Sequence, residues 1–184
     1  MLNTVGTGTL QVSLSFDNAK DVDLHLVEPE QVDENGESYS FFDRHIYFVN
    51  SMSRNGGELD LDSNAGCLYD DINNENITYG DDAYVAPGLY KVYVDMFQNC
   101  DPQEAPTNWV VSVFYDGQLI AAQNGTNPVY GTFPANVADN FGDLNNLTPV
   151  MTFVIPDTGQ KRIKSFAPKP LTQTAIEKSA LVEQ

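Results

Sequence analysis

The residues of this sequence with the clearest chemical potential are its two histidines and a set of aspartates that alternate with apolar residues. Asp23 and His25 lie in the segment DVDLHL, where valine and leucine occupy the positions between them. The other members of the set are His45, Asp60 and Asp62, which lie beside apolar residues in the same way. Imidazole and carboxylate groups together are ligands of zinc and other divalent transition metals. The pattern therefore predicts a metal site if one face collects these residues.

Alternation with a period of two residues is typical of strands that bury one face. The apolar residues of the three segments would then face a core, and the aspartates and histidines would share the outer face. Successive strands are neighbours about two-thirds of the time, and directly opposite side chains lie about 5 Å apart. We therefore expect Asp23, His25, His45, Asp60 and Asp62 to form one exposed patch.

Three interpretations of this patch stay open: a solvated sheet face, a bound metal, and a ligand or partner site without metal. A metal would offset the mutual repulsion of the carboxylates. Calcium is the alternative to zinc, because Asp60, Asp62 and Asn64 have the spacing that opens some calcium loops. An EF-hand requires a glycine where Ala65 stands and a glutamate where Asp71 stands. The expected cofactor is thus one divalent cation, zinc or calcium.

The elements that must position these residues are short strands separated by glycine, proline and asparagine. Asp116-Gly117 between two apolar runs predicts a hairpin. The pattern predicts an all-β fold, an antiparallel β-sandwich of the jelly-roll or Ig-like kind, with long polar loops at 30–42, 63–84 and 123–146. The predicted strands are 9–16, 21–26, 45–49, 58–62, 88–97, 109–115, 118–122 and 148–155.

Length and charge divide the chain into a body and a tail. The 184 residues carry a formal net charge of −17, and we expect a β-sandwich domain at 1–159 followed by a basic, proline-containing tail or linker at 160–184. A body this acidic repels phosphates and anionic lipid headgroups, so no nucleic-acid partner is expected. No run of 18 apolar residues occurs, so we expect no direct membrane insertion.

The cysteines and the composition bear on the compartment. Cys67 and Cys100 would close a 34-residue loop as a disulfide, and two unpaired thiols are the alternative left open. The first residues show neither the basic nor the apolar region of a signal peptide. Because the composition is that of many exported β-domains, we expect a trimmed segment of a periplasmic, extracellular or cell-surface protein.

Five blocks of the sequence resemble the YfaP-like family, whose members are bacterial exported or surface-associated domains without an established activity. The blocks are DVDLHLVEP at 21–29, HIYF at 45–48, GGELDLD at 56–62, ENIT at 75–78 and PGLYKVYV at 87–94. The resemblance implies a β-sandwich and adds Glu75 to the candidate metal ligands. The sequence departs from the family in an insertion at 31–42 and a longer, cysteine-bearing stretch before Glu75.

These observations favour a non-enzymatic binding or interaction module of the bacterial envelope, with an unidentified protein or glycan partner. The first alternative is a carbohydrate-binding module that uses the aromatic residues of the loops. The second is a metal-dependent hydrolase, which would need a metal-activated water at the same patch. No G-x-S-x-G or H-E-x-x-H motif supports hydrolysis. The loop aromatics are Tyr39, Phe41, Phe42, Tyr69, Tyr79, Tyr84 and Tyr130.

Overall fold

Two antiparallel sheets pack against each other, which confirms the predicted all-β sandwich. The structure, a computed structural model, describes residues 8–33, 35–100, 105–159 and 166. Within these ranges no helix is long and apolar enough to cross a membrane. The strands are β1 (Leu10–Phe16), β2 (Asp21–Val27), β3 (His45–Ile46), β4 (Gly57–Leu59), β5 (Asn74–Tyr79), β6 (Gly88–Gln98), β7 (Thr107–Tyr115), β8 (Gln118–Leu119), β9 (Val129–Phe133) and β10 (Thr148–Ile155).

The chain passes repeatedly from one sheet to the other. The first sheet has the order β4-β5-β1-β7-β8, and β9 also pairs with β7. The second sheet has the order β10-β6-β2-β3. The central partner of β2 is therefore β6, which follows it by more than 60 residues in the chain, whereas β4 lies in the opposite sheet.

The core between the sheets is built by the inward positions of each strand. Alternate residues of β1 are buried, as the sequence pattern predicts. Each such side chain contributes about 1.5–3 kcal/mol when it leaves water. The core includes Leu10, Val12, Leu14, Val22, Leu24, Leu26, Ile77, Val92, Val94, Val111, Val113 and Phe153.

Two strands and one helix are absent from the sequence prediction. β5 and β9 lie inside the stretches that were expected to be long polar loops, because their composition is polar or interrupted by glycine. The predicted strand at 45–49 is reduced to two residues, as is the one at 118–122. The short helix α1 (Phe41–Arg44) begins with a capping box between Ser40 and Asp43.

Cys67 and Cys100 form a disulfide. It joins a short 3-10 helix, Ala65–Cys67, to the segment just after β6. The predicted basic tail at 160–184 lies outside the described residues except for Phe166. The backbone N–H of Phe166 donates to the Arg54 carbonyl at 3.1 Å, and its ring occupies the space that a side chain at Gly56 would need.

Candidate metal site

The outer face of β2 is buried, which corrects the expectation of an exposed patch. Asp21, Asp23 and His25 point away from the core, on the face opposite the apolar residues of the strand. All three are nevertheless no more than 1% exposed. The prediction that these polar side chains lie in water is therefore wrong.

Three segments cover this face, namely residues 45–50, residues 60–74 (the cover loop) and residues 139–143. Their hydrogen bonds to the face or to the adjacent strand are His45 to His25, Gly66 to Asp21 and Asn140 to Asp95. Residues 60–74 are largely polar and reach the face through hydrogen bonds. Tyr47, Phe48 and Phe141 of the other two segments pack with Phe97 of β6. This second buried layer is therefore part polar and part aromatic, and the periodicity of β2 alone does not indicate it.

His25 lies at the centre of the covered face and uses both ring nitrogens. Its Nε2 is 3.0 Å from Oδ1 of Asp95 on β6. Its Nδ1 is 2.9 Å from Nε2 of His45 on β3. Three adjacent strands of the second sheet, β3, β2 and β6, therefore each supply one residue to a buried His45–His25–Asp95 chain.

Asp23 completes a three-residue group with His25 and Asp95, which we name the Asp/His site. Asp23 and Asp95 are opposite each other in the β2–β6 register. Each of the three residues offers one ligand atom, and these atoms all lie within 4.8 Å of one another. The site thus presents one imidazole nitrogen and two carboxylate oxygens, a mixed donor set that divalent transition metals accept.

His45 is a neutral residue behind the site. Its ring is fully buried and stacks on Tyr47 with 4.2 Å between ring centroids. Burial, followed by the charge of His25, lowers the pKa of His45 from 6.5 to about 2. Its Nδ1 has no hydrogen-bond partner. His45 therefore orients His25 through a single hydrogen bond and carries no charge of its own.

A second group of carboxylates adjoins the Asp/His site and shares Asp23 with it. Ligand oxygens of Asp21, Asp23 and Asp62 all lie within 4.8 Å of one another. The backbone N–H of Gly66 donates to Oδ2 of Asp21 at 2.6 Å. Asp62 is half-buried and belongs to the cover loop. This group offers oxygen only, the donor type of calcium.

The cover loop is held in shape by its own side chains. Asp70 accepts hydrogen bonds from Ser63 Oγ at 3.1 Å and from the N–H of Asn64 at 3.2 Å. The Asn64 side chain in turn donates to the carbonyl of Lys20 at 3.0 Å, which ties the loop to the start of β2. The DxDxN spacing noted in the sequence therefore builds a polar loop that covers the aspartates of β2.

The structure places three of the predicted ligands outside both groups, namely His45, Glu75 and Asp60. Glu75 accepts backbone hydrogen bonds from Leu24 at 2.8 Å and Ser63 at 3.0 Å, so it joins β2 to the cover loop. Asp60 is exposed and accepts the N–H of Asn76 at 3.2 Å. Desolvation by the surrounding loop nevertheless raises the pKa of the Asp60 carboxyl. Of the six predicted metal residues, Asp23 and His25 lie in the Asp/His site, His45 contacts it and Asp62 lies in the adjacent group.

Sequence reasoning missed Asp95, the third member of the site. The alternation of Tyr90, Val92 and Val94 in β6 places Asp95 on the outer face, so the signal was present. It was not used because the predicted pairing joined β2 to its successors in the chain. Asp21 was recognised on the same face but was not included among the ligands.

A further buried carboxylate, Glu28, has a structural environment distinct from the site. It accepts hydrogen bonds from Ser53 Oγ at 2.7 Å, Asn55 Nδ2 at 2.7 Å and the Tyr79 hydroxyl at 2.6 Å. Burial, followed by the charge of Glu28, raises the pKa of Tyr79 well above 10.0. Glu28 therefore connects the two sheets through Tyr79 of β5.

Comparison of the chain with protein-family models, curated proteins and solved structures found no match. The resemblance to the YfaP-like family therefore stays a prediction from the five sequence blocks.

Proposed function

We propose that this protein is a non-enzymatic binding or interaction module of the bacterial envelope that holds one divalent transition-metal ion at the Asp/His site. The observation that carries the proposal is the convergence of Asp23, His25 and Asp95 from two paired strands. Ligand atoms on one ion with bonds of about 2.1 Å lie at most about 4.2 Å apart. The ligand atoms, which lie within 4.8 Å of one another, therefore need to move by less than about 1 Å to bind one ion.

Electrostatics support a cation at this place. Asp23 and Asp95 are each 1% exposed and directly opposite each other. Two neighbouring carboxylates in a buried environment disfavour joint ionisation unless positive charge is near. A divalent ion supplies that charge and also neutralises part of the adjacent Asp21 and Asp62 group. The competing explanation is that the 3.0 Å contact of His25 with Asp95 suffices without a metal.

The donor set indicates the class of metal. One imidazole with two carboxylates suits zinc, manganese or iron, whereas calcium prefers oxygen ligands alone. The contact of His45 Nε2 with His25 Nδ1 at 2.9 Å matches the usual support of a metal-bound histidine, whose other ring nitrogen bonds a neighbouring group. Burial of all three ligands supports a structural ion, since a catalytic metal keeps an open position for substrate.

The disulfide supports an exported location. Structural disulfides persist in oxidising compartments such as the periplasm and the cell exterior. Cys67 and Cys100 are bonded, in agreement with the proposed periplasmic, extracellular or surface location.

The test is metal content and thermal stability of protein purified without chelators or nickel affinity. We expect about one zinc or manganese per chain and a lower Tm in EDTA. At a free metal concentration of 100 Kd, binding stabilises the fold by about 2.7 kcal/mol, which is roughly 5–10 °C for a domain of this size. Adding zinc or manganese should restore the Tm, and calcium should not.

Paired Asp-to-Asn variants make the test specific. Asp95→Asn removes a proposed ligand charge while it preserves side-chain shape, and it should abolish the response to EDTA. Asp116→Asn makes the same change in the exposed β7–β8 turn, where asparagine before glycine is equally suitable, and should respond as wild type. If wild type is purified without metal and its Tm does not change in EDTA, the proposed metal site is wrong. If calcium alone restores the Tm after EDTA treatment, the ion belongs to the Asp21–Asp23–Asp62 group.

A neutral glycan is the second candidate ligand, and one observation favours it. Tyr130 is 75% exposed on the outer face of the first sheet. Its neighbours on that face are uncharged in an otherwise acidic protein, and exposed aromatic faces stack on sugar rings. Two of the predicted loop aromatics do not contribute, because Tyr39 and Tyr79 are buried. A glycan array that shows no binding by wild type, or equal binding by Tyr130→Ala, would remove this candidate.

A further inference from the structure

We propose that the Cys67–Cys100 disulfide is a redox latch that sets the metal affinity of the Asp/His site. The inference rests on the proposed function, because it concerns the regulation of the same site. Its basis is the position of the disulfide, which fastens the tip of the cover loop to the segment that follows β6.

The loop tip and the site are in direct contact. Gly66 is adjacent to Cys67 in the chain, and its N–H holds Oδ2 of Asp21 at 2.6 Å. Asp62, earlier in the same loop, lies within 4.8 Å of Asp21 and Asp23 at their ligand oxygens. The position of the tip therefore determines both the burial of Asp23 and the carboxylate charge around it.

Cys100, the other half of the disulfide, is also connected to the Asp/His site. Cys100 follows β6, the strand that carries Asp95. The Lys20 Nζ donates to the carbonyl of Cys100, and the Lys20 carbonyl accepts from Asn64 of the cover loop. Lys20 directly precedes β2. The disulfide and these two hydrogen bonds thus connect the cover loop to both strands that supply the metal ligands.

The tip has little apolar anchorage besides the disulfide. Leu68 and Tyr69, which directly follow Cys67, are 67% and 50% exposed. Hydrogen bonds from Ser63 and Asn64 hold the base of the loop, whereas Leu68 at the tip buries little apolar surface. Cleavage of the disulfide therefore releases the tip and admits water to Asp21 and Asp23.

The reduction step is an exchange with a dithiol reductant. A thiolate of the reductant attacks Sγ of Cys67, the less buried of the two cysteines, and Cys100 leaves as a thiolate that takes a proton from water. The second thiolate of the reductant then attacks the reductant sulfur that is bonded to Cys67, and Cys67 leaves as a thiolate. Two electrons pass to the protein, and the reductant ends as a disulfide.

Metal affinity falls after reduction because the site loses pre-organisation. The oxidised chain holds the cover loop in place before the metal binds, whereas the reduced chain must order it during binding. We expect at least a tenfold higher Kd in the reduced state. Linkage makes the effect reciprocal, so bound metal must disfavour reduction by the same factor. A tenfold factor corresponds to about 30 mV for a two-electron couple.

The first experiment compares Mn²⁺ binding by wild type and by the Cys67→Ser/Cys100→Ser double variant. Serine removes the latch without creating thiols that would themselves bind metal. We expect the variant to bind at least tenfold more weakly. Val111→Ala serves as the control, because it opens a cavity in the core of the first sheet while the latch stays intact. Its Kd should equal that of wild type despite its lower stability.

Each outcome decides a separate question. Equal Kd values for the folded double variant and wild type overturn the latch but leave the metal site. Absence of Mn²⁺ and Zn²⁺ binding by wild type overturns the proposed function itself. If the double variant does not fold, the wild-type disulfide is titrated in glutathione buffers with and without Mn²⁺. A reduction midpoint lower by about 30 mV with metal supports the latch, and an unchanged midpoint overturns it.

Discussion

The buried neutral state of His45 predicts that the protein loses stability when the pH falls from 7.5 to 5. The ring lies against Tyr47 and Phe41, and its Nε2 contacts His25 at 2.9 Å. Burial, followed by the charge of His25, lowers its pKa from 6.5 to about 2. The unfolded chain therefore protonates this ring near pH 6.5, whereas the folded chain keeps it neutral until about pH 2.

The sign follows from proton uptake. Between these two pKa values the unfolded state binds more protons than the folded state, so the free energy of unfolding decreases as the pH decreases. The contribution is complete above about pH 6.5 and is lost progressively below it. pH 5 lies about 1.5 units below 6.5, and each unit is worth about 1.36 kcal/mol, which gives a loss of about 2 kcal/mol.

The assay is urea unfolding at pH 7.5 and pH 5 with EDTA present, so that metal binding does not contribute. The reference is His45→Gln, which retains a hydrogen-bonding group towards His25 but does not titrate. All other ionisable groups are the same in both proteins, so their contributions largely cancel in the comparison. Wild type should lose about 2 kcal/mol more than the variant. An equal loss in both would refute the assignment of His45 as a buried neutral ring.

Two further predictions concern packing around the sheets. Glu28→Ala removes the acceptor of three buried donors, including the Tyr79 hydroxyl, and should lower the free energy of unfolding by about 3–5 kcal/mol in urea titrations; a loss below 1 kcal/mol would contradict its structural role. Gly131→Ala should cost about 2–3 kcal/mol, because a Cβ there would lie 2.1 Å from the Trp109 ring. Gly80→Ala, which meets nothing within 4 Å, should be nearly neutral, and equal Tm values for the two alanine variants would be the contrary result.

Strand periodicity was sufficient to predict the fold class and the orientation of side chains on β2. The alternation of DVDLHL correctly placed the apolar residues in the core and Asp23 with His25 on the other face. The pairing of β2 with β3 followed the expected neighbour rule and brought His45 to His25. These features depend on local sequence, which is why one sequence reveals them.

Pairing between distant strands could not be predicted in the same way. The expected patch assumed that β2, β3 and β4 were neighbours, but β4 pairs with β5 in the other sheet. Asp60 follows β4 and therefore lies apart from His25. Asp95 takes its place because β6 is the true partner of β2, a contact between segments about 70 residues apart. Such non-local pairing leaves no periodic signal in either strand.

The sequence analysis missed strands β5 and β9 because each has a residue that breaks the apolar alternation. β5 has the sequence NENITY, in which the inward position of Glu75 is filled by a carboxylate that bonds backbone amides. β9 has Gly131 at its centre, where the Trp109 ring occupies the space of a side chain. Both strands depart from apolar alternation because tertiary contacts replace the missing apolar side chains.

The second buried face of β2 connects the acidity, the disulfide and the proposed metal. Polar segments and a small aromatic cluster of Tyr47, Phe48 and Phe97 cover this face, so only part of its burial gains the usual hydrophobic stabilisation. Burial of carboxylates is costly unless they are paired or bound to a cation. The proposed ion at Asp23, His25 and Asp95 would offset that cost, and the disulfide lowers the entropy of the loop that completes the cover. The proposed metal and the latch therefore stabilise the same layer, and loss of either should expose the same aspartates.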